Sequence, residues 1–429
     1  MMKCSIKRQL SLIFTGVMAA FLLASCGPKS EPGMTLSDPA ALDQLIDSYV
    51  EADAFPFIYA RLEDKQGRVI YEHSAVNRDV IPDASIDGQS WIRIWSMSKI
   101  VTISVVLDLV EDGILSLDDP VAQFIPEFAD LKVAVSASGA DLSTIEDKDA
   151  ACPLQQVPMN SVMTVLDLIN HQAGFYYATT GISCLDDLIA SKNLPKAENS
   201  QALIERMAGL PLIQQPGSND FYGTNTTVLG IVAERATGKS LKQLVEERVT
   251  GPLQIEGLRY GLPQAASLLP RISGQGGQLR EAHPGELDIF GPDVPDYDPA
   301  HELYLGGEGM LATADGYADF LRMLLNRGTL NEQRFLDAQT VEDIASPHTQ
   351  LDNPYGYNGY NLWVNKSELP NGETVEGGLW IGGGYEGTHF WIDPKREFVA
   401  VIMTQMFWIP ESGHGRDEAI RKAVYEQIR

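Results

Sequence analysis

Basic residues, cysteines and internal repeats are all scarce in this 429-residue chain. It carries 32 Lys and Arg against 58 Asp and Glu, a formal net charge of −26. That balance argues against non-specific nucleic-acid binding, which needs a basic face. Four cysteines are too few for a small disulfide-framed fold. The residues that are present, 44% hydrophobic and 8% aromatic, are typical of a globular protein with a large core. Length alone suggests two or three domains.

The first 25 residues have the pattern of a secretory signal. Lys3, Lys7 and Arg8 precede an apolar run over residues 10–24. That run is short for a membrane span and ends in small residues. Removal of residues 1–25 takes away three basic residues and no acidic one. The remaining chain would have 29 basic residues (32 − 3) against 58 acidic ones, a formal charge of −29.

The apolar run ends in Leu23-Ala24-Ser25-Cys26-Gly27, which resembles the lipobox of bacterial lipoproteins. The resemblance implies a lipidated Cys26 that holds the protein in the bacterial cell envelope, and a Gly rather than an Asp after the cysteine favours the outer membrane. The alternative is a plain secretory signal with an incidental cysteine. We therefore predict a signal peptide over residues 1–25, a flexible tether over 26–44 and one domain over 45–429.

Two cysteines, Cys152 and Cys184, lie within the predicted domain. The first belongs to a polar, irregular stretch over residues 134–160 that indicates a surface insertion. Because an envelope compartment is oxidising, the two can form a disulfide, whose loop would stabilise the fold by roughly 3–4 kcal/mol. Two buried free thiols are the alternative.

Strand patterns lie at both ends of the domain, and helix patterns lie between them. Residues 57–63 and 68–73 predict one hairpin, and residues 389–392 and 398–403 predict another. Residues 100–110 form an almost unbroken apolar run whose length suits a buried helix. We predict one α/β domain with an antiparallel sheet built from both chain ends, flanked by helices, and with a mostly helical insert.

Ser96-Met97-Ser98-Lys99 is the one Ser-x-x-Lys spacing in the chain. Residues three apart share a helix face, so the Lys99 amine can reach the Ser96 oxygen. A serine hydroxyl becomes a good nucleophile when a nearby base takes its proton. A lysine serves as that base when burial or neighbouring positive charge favours its neutral form. The alternative is that Ser96 is a helix N-cap and Lys99 a solvated residue of the first turn.

Two further segments could complete such a site. Tyr222 follows a Pro-Gly turn at residues 216–217 and precedes a predicted helix. Its phenol could pass a proton to a leaving group, or it could be a packing residue. Gly382-Gly383-Gly384 leads into the last hairpin, and clustered glycines allow a backbone to approach a ligand closely. A strand-edge N–H there could supply half of an oxyanion hole, or the glycines could form a simple turn.

Together these motifs resemble the serine β-lactamase and penicillin-binding-protein superfamily, and most closely its class C-like branch, which includes the β-lactamase-fold esterases. The resemblance covers roughly residues 45–429 and extends to residues 163–174, 306–310 and 391–394. It implies a β-lactamase-like fold and an acyl-enzyme on Ser96. It further implies proton transfer by Lys99 and Tyr222 and an oxyanion held by the N–H groups of Ser96 and of a residue near Tyr385. It implies no metal or cofactor.

Two positions depart from the family pattern. Thr224 stands where the Tyr-x-Asn motif has Asn, with Asn225 one position late. The Lys/His-Thr-Gly strand motif is replaced by Gly382-Gly383-Gly384 or, after a small slip, by Trp380-Ile381-Gly382, which is like the Trp-x-Gly of the esterase branch. In the lactam- and peptide-processing branches that basic residue binds the substrate carboxylate. Its absence favours ester substrates, unless another cation substitutes.

We therefore predict an envelope-anchored serine hydrolase that cleaves a small ester or amide. Its catalytic residues would be Ser96, Lys99 and Tyr222, with Thr224 and residues 382–385 on the oxyanion and substrate side. The alternatives are a β-lactamase or D-Ala-specific carboxypeptidase, and a non-catalytic cell-wall-binding or partner-binding lipoprotein with a degraded site. The expected partners are a small acyl substrate and, through the lipid anchor, the membrane. No nucleic acid, cofactor or metal is expected, and the oligomeric state stays open.

Overall fold

The structure is a computed structural model that describes residues 33–82, 85–283, 286, 302–349, 356–367 and 376–429. The predicted signal peptide and the lipidated Cys26 lie outside these residues and stay predictions. None of the helices in the described part is long and apolar enough to cross a membrane.

The strands of the described residues range from two to eight residues. In chain order they are β1 (Phe57–Asp64), β2 (Val69–Val76), β3 (Ile92–Arg93), β4 (Lys132–Val135), β5 (Gln155–Pro158), β6 (Leu258–Arg259), β7 (Ile272–Ser273), β8 (Arg280–Glu281), β9 (Leu311–Ala312), β10 (Thr329–Leu330), β11 (Gln333–Arg334), β12 (Gly356–Asn358), β13 (Trp363–Asn365), β14 (Trp380–Gly383), β15 (His389–Asp393), β16 (Phe398–Met403) and β17 (Met406–Phe407).

One seven-stranded antiparallel sheet organises the domain, in the order β12-β13-β14-β15-β16-β1-β2. Its first two strands in sequence come from the start of the domain and the other five from its end. The two halves join where β1 pairs with β16, with Tyr59 opposite Met403. Every residue of β16 is buried, as expected of a central strand covered on both faces. The predicted α/β fold, with an antiparallel sheet built from both chain ends, is therefore confirmed.

The helices pack on this sheet and fill the insert between its two halves. They are α1 (Pro39–Glu51), α2 (Ser98–Glu111), α3 (Val121–Phe124), α4 (Val165–Ile169), α5 (Ser183–Lys192), α6 (Ser200–Met207), α7 (Asn225–Thr237), α8 (Leu241–Leu244), α9 (Gly251–Leu253), α10 (Ala314–Leu325), α11 (Ala338–Ile344) and α12 (Arg416–Gln427), with a π-helical turn over Val245–Thr250. Residues 98–107 of α2 are all buried, because a helix that is apolar on every side belongs in a core. The helix predicted over residues 100–110 is thus confirmed.

The predicted boundary between tether and domain is wrong. Residues 39–44, assigned to the tether, form the first turns of α1. Asp38 caps this helix by accepting a hydrogen bond from the Ala41 N–H at 3.3 Å, and Pro39 occupies the first helical position, where its missing N–H costs nothing. Leu42 is fully buried. Just before the helix, Thr35 exchanges backbone hydrogen bonds with Arg429 at the other end of the chain.

The predicted surface insertion is more regular than its sequence indicates. The antiparallel strands β4 and β5 flank it. Of the two alternatives left open for Cys152 and Cys184, the structure has the disulfide, with an S–S distance of 2.04 Å. Asn219 Nδ2 donates to Asp141 Oδ2 at 3.3 Å and to Ser143 Oγ at 3.1 Å. The insertion thereby supports the segment that leads to Tyr222.

Candidate active site

Ser96 lies in a 3₁₀ turn, Trp95–Met97, directly before α2. Trp95 has a φ of +45°, a left-handed conformation that is rare for a bulky residue. Its buried ring contacts the ring of Tyr385 edge-on, with 5.9 Å between centroids. The turn holds Ser96 at the N-terminal end of a long buried helix, where the helix dipole favours developing negative charge.

Lys99 is fully buried, which excludes the alternative of a solvated first-turn lysine. Its Nζ donates to Ser96 Oγ at 3.1 Å, as the Ser-x-x-Lys spacing predicts. The same Nζ donates to Tyr177 Oη at 2.8 Å and to the Gly307 carbonyl oxygen at 3.0 Å. It lies 3.4 Å from Glu308 Oε1. The serine and the lysine are therefore preassembled in a buried polar network.

Tyr222 covers the outer side of this pair. Lys99 Nζ lies 4.8 Å from the centroid of the Tyr222 ring, within cation–π range. The Tyr222 ring also stacks on the His171 ring, with centroids 4.7 Å apart, and Tyr222 is 44% exposed. In the described part of the chain no hydrogen bond joins the Tyr222 hydroxyl to Ser96 or Lys99. The residue is at the site, and its role in proton transfer stays a prediction.

His171 is a neutral support for the Tyr222 segment. Its Nδ1 accepts from the Gly223 N–H at 3.4 Å, and its Nε2 lies 3.3 Å from Asn361 Oδ1. Because a backbone N–H can only donate, Nδ1 is the acceptor and Nε2 carries the hydrogen. Burial and the nearby charge of Lys99 lower the pKa of His171 to about 3. The resemblance included this histidine in a matched segment but gave it no role.

The two residues that replace the family's Tyr-x-Asn pattern are both buried beneath Tyr222. Thr224 is 1% exposed, and its hydroxyl has no hydrogen-bond partner among the described residues. Asn225 Nδ2 donates to the carbonyl oxygens of Phe175 at 3.2 Å and Phe221 at 3.3 Å. Asn225 therefore joins two segments of the site internally. The predicted contact of Thr224 with substrate stays a prediction.

The glycine cluster packs against the backbone that precedes Ser96. A Cβ on Gly384 would lie 2.5 Å from the Ile94 carbonyl oxygen, and one on Gly382 would lie 2.5 Å from the Phe390 ring. A side chain at Gly384 would collide with backbone and force the turn away, whereas one at Gly382 would have to displace the Phe390 ring. Gly383 ends β14, and Tyr385 follows in the turn. The predicted oxyanion segment is thus adjacent to the nucleophile turn, and its catalytic role stays a prediction.

Sequence reasoning missed two buried members of the site, Tyr177 and Glu308. The Tyr177 hydroxyl donates to Glu308 Oε1, and burial together with this carboxylate raises the pKa of Tyr177 well above its usual value, so it is a neutral phenol. The available signal for Glu308 was an acidic residue inside the glycine run 306–309. The described residues contain no cluster of His, Cys, Asp and Glu that could hold a metal ion.

Comparison with known proteins agrees with this geometry. A family model described as Beta-lactamase matches residues 42–425. The chain is 29% identical to Protein Rv1367c of Mycobacterium tuberculosis over 346 residues, covering 76% of this chain and 80% of the relative. It is 27% identical to Acyltransferase mokF of Monascus pilosus, covering 72% and 75%. It is also 27% identical to Lovastatin esterase of Penicillium rubens, covering 66% and 67%.

A solved structure shares the fold. EstCE1, described as a hydrolase with promiscuous acyltransferase activity, superposes with a TM-score of 0.72 at 20% identity and covers 90% of this chain and 98% of its own. The match to the family model spans almost the whole described domain, including every segment that forms the site. The chain therefore belongs to the beta-lactamase family.

Proposed function

We propose that this protein is a serine hydrolase that cleaves a small, uncharged ester through an acyl-enzyme on Ser96. The observation that carries the proposal is the 3.1 Å hydrogen bond between buried Lys99 and Ser96 at the start of α2. A serine needs an adjacent base to become nucleophilic. In the part of the chain that is described, Lys99 is the titratable group hydrogen-bonded to it.

The proposed reaction has two stages. Ser96 Oγ attacks the acyl carbonyl carbon while Lys99 takes its proton, and Tyr222 or Lys99 then delivers a proton to the leaving alcohol. The N–H groups of Ser96 and of a residue near Tyr385 hold the oxyanion. Water attacks the acyl-enzyme in the second stage and releases the acid.

Substrate charge is inferred from the cations around the glycine cluster. Two arginines contact the turn that follows β14, and each is already paired. Arg271 donates to Glu386, while Arg416 donates to Asp417 and to the Gly387 carbonyl oxygen at 2.7 Å. Arg271 Nη2 and Arg416 Nη1 have no hydrogen-bond partner among the described residues, but the charge of each arginine is balanced by a carboxylate, so neither offers the uncompensated cation of the Lys/His-Thr-Gly motif. This supports ester substrates over carboxylate-bearing lactams and D-Ala peptides.

Transfer of the acyl group to an alcohol is a second candidate activity. It is favoured by relatives named as acyltransferases, including ML-236A carboxylate methylbutanoyltransferase of Penicillium citrinum at 26% identity. The acyl-enzyme is the same in both activities, and only the attacking hydroxyl differs. We also propose, from the lipobox-like segment, that Cys26 anchors the enzyme in the cell envelope.

A substrate panel with a site-specific variant tests the proposed function. We expect the protein to hydrolyse p-nitrophenyl acetate and butyrate faster than nitrocefin or a D-Ala-D-Ala peptide, and to react with a fluorophosphonate at Ser96. Ser96→Ala should lower ester turnover by roughly 10³-fold or more and abolish labelling. Added alcohol should yield the transesterified product if transfer occurs.

Ser104→Ala is the matched control. Ser104 is a buried serine two turns further along α2, and its hydroxyl donates to the Ile100 carbonyl oxygen. Its variant should keep ester turnover and labelling. Faster nitrocefin hydrolysis would favour the β-lactamase alternative. A folded protein that leaves Ser96 unlabelled and turns over no substrate would favour the binding protein.

A further inference from the structure

A buried carboxylate to which the sequence analysis gave no role, that of Glu308, contacts Lys99 beside the serine. Glu308 sits in the loop between residues 305 and 310, which is fastened to α2 at two points. Thr102 Oγ1 donates to the Gly306 carbonyl oxygen at 2.6 Å, and the Met310 N–H donates to Ser98 Oγ at 3.1 Å. The loop is therefore held against the helix that follows the nucleophile, and it places Glu308 where solvent does not reach.

Both oxygens of Glu308 accept hydrogen bonds from hydroxyl groups. Thr227 accepts from the Gly307 N–H at 3.3 Å, so its own proton goes to Glu308 Oε2 at 2.6 Å. The Tyr177 hydroxyl donates to Oε1, and Lys99 Nζ lies 3.4 Å from the same oxygen. A group that receives only donors is an ionised carboxylate. Glu308 and Lys99 are both fully buried and in contact, so the carboxylate lies where it can balance the positive charge of a protonated Lys99.

These contacts determine which of the three hydrogen or lone-pair positions on Lys99 Nζ faces Ser96. The Gly307 carbonyl oxygen can only accept, so one N–H of Lys99 points to it. Tyr177 gives its proton to Glu308, so its oxygen accepts a second N–H of Lys99. The third position of the nitrogen is directed at Ser96 Oγ at 3.1 Å, with Glu308 Oε1 a longer contact at 3.4 Å. It holds a lone pair when Lys99 is neutral and a proton after transfer.

We propose that Glu308 is a positioning residue for Lys99, which orients the lysine through Tyr177 and balances the positive charge that Lys99 takes up from Ser96. The inference rests on the proposed function and adds a further residue to its mechanism. The Ser96 proton moves to Nζ as Oγ bonds to the acyl carbon and the carbonyl electron pair moves to oxygen. The same proton leaves with the alcohol when the C–O bond breaks.

The other groups that face Lys99 do not supply this counter-charge. Tyr177 and His171 come from the segment after α4, and Tyr222 comes from the segment before α7. Tyr177 is a neutral phenol, and His171 is neutral because burial and Lys99 lower its pKa to about 3. Tyr222 presents its ring face. Glu308 is thus the carboxylate in contact with Lys99 among the described residues.

Glu308→Gln separates a charge effect from a structural effect, because it keeps the side-chain volume and one acceptor oxygen. We expect KM for p-nitrophenyl butyrate to change less than about twofold while kcat falls roughly 10²-fold. The acid limb of the pH profile of kcat/KM should move to lower pH by about one unit or more, since a nearby carboxylate favours the charged form of an amine. Glu308→Asp, which keeps the negative charge, should bring the acid limb most of the way back to its wild-type pH. If the acid limb of Glu308→Gln lies at the same pH as that of wild type, the proposal is overturned.

Glu63→Gln is the matched control for the loss of a buried carboxylate. Glu63 is 3% exposed on β1 and pairs with Arg61 and Arg322, away from the serine. Its variant should leave the acid limb in place. Tyr177→Phe keeps the charge and removes the orienting hydroxyl. We expect Tyr177→Phe to lower kcat while the acid limb of the kcat/KM profile stays at nearly the same pH.

A measurement that needs no turnover distinguishes this proposal from the proposed function. The protein can be labelled with ¹³C at lysine Cε, and the Lys99 signal assigned by its absence in Lys99→Met. Its titration midpoint should move to lower pH in Glu308→Gln, whatever the substrate. If wild type hydrolyses no ester but this midpoint moves, only the proposed function fails. If ester hydrolysis is present and the midpoint does not move, the role of Glu308 fails.

Discussion

His171 links the active site to the acid stability of the protein. The folded protein keeps it neutral, with a pKa of about 3 caused by burial and by Lys99, whereas the unfolded chain protonates it below about pH 6.5. Between these values the unfolded state binds more protons, so stability falls as the pH drops from 6.5 towards 3. From pH 7 to pH 5 the loss attributable to His171 is roughly 2 kcal/mol.

Urea unfolding at pH 7 and pH 5 measures this effect. Wild type should lose roughly 2 kcal/mol more than His171→Gln over that interval. His389, whose pKa burial lowers to about 4, contributes equally to both proteins and cancels. His414→Gln, at an exposed histidine, should behave as wild type. Equal losses in wild type and His171→Gln would contradict the prediction.

For single residues, the sequence predicts the part of the site formed by neighbours in the chain, but not the contacts between residues far apart in sequence. Ser96 and Lys99 are three residues apart, and helix geometry alone brings them together. Tyr177 and Glu308 reach Lys99 across 78 and 209 residues of chain. No periodicity or spacing encodes such a contact, because it arises when the loop at 305–310 packs between α2 and α7. The segment 306–310 is recognisable in the sequence, but the contact of its acidic residue with Lys99 is not.

Among the elements, the insertion before α5 depends on its disulfide. Cys152 and Cys184 close a loop with a sequence separation of 32, and such a cross-link removes roughly 3–4 kcal/mol of chain entropy from the unfolded state. Replacing both cysteines with serine should lower the free energy of unfolding by that amount, measured by urea denaturation. Wild type under reducing conditions should match the variant, and the variant should not respond to reductant. A loss below about 1 kcal/mol would contradict the loop-entropy argument.

Elements with strong local patterns were predictable, and short ones were not. The apolar run of α2 and the two hairpins β1–β2 and β15–β16 agree with their sequence patterns. Strands β3, β6 and β9 have two residues each, and β9 pairs both with β6 and with β3, which lies more than half the chain away. Two residues are too few to show alternation, so only tertiary packing defines them. The start of α1 had a readable signal, Asp38 before Pro39, and it was missed.

For the whole molecule, the first turns of α1 belong to the folded domain. A chain of residues 35–429 should unfold as the full-length protein does, whereas a chain of residues 45–429 should be less stable by about 2.5–4 kcal/mol. The shorter chain loses the buried Leu42 side chain, worth about 1.5–3 kcal/mol, and the Asp38 cap, worth about 1 kcal/mol. Urea denaturation of the three chains checks this. If the 35–429 and 45–429 chains are equally stable, the domain boundary at residue 45 that the sequence predicts would be correct after all.

The pairing of β1 with β16 also constrains when this protein can fold. The hairpin of β1 and β2 is among the first parts of the domain to be synthesised, yet the open edge of β1 is filled by a strand that ends at Met403. Most side chains of β1 are buried in the finished domain, so they stay uncovered until nearly the whole chain is available. Contacts this remote in sequence make folding slow and leave an unpaired edge open to aggregation. Assembly of the central sheet is therefore a late event that follows synthesis of almost the entire polypeptide.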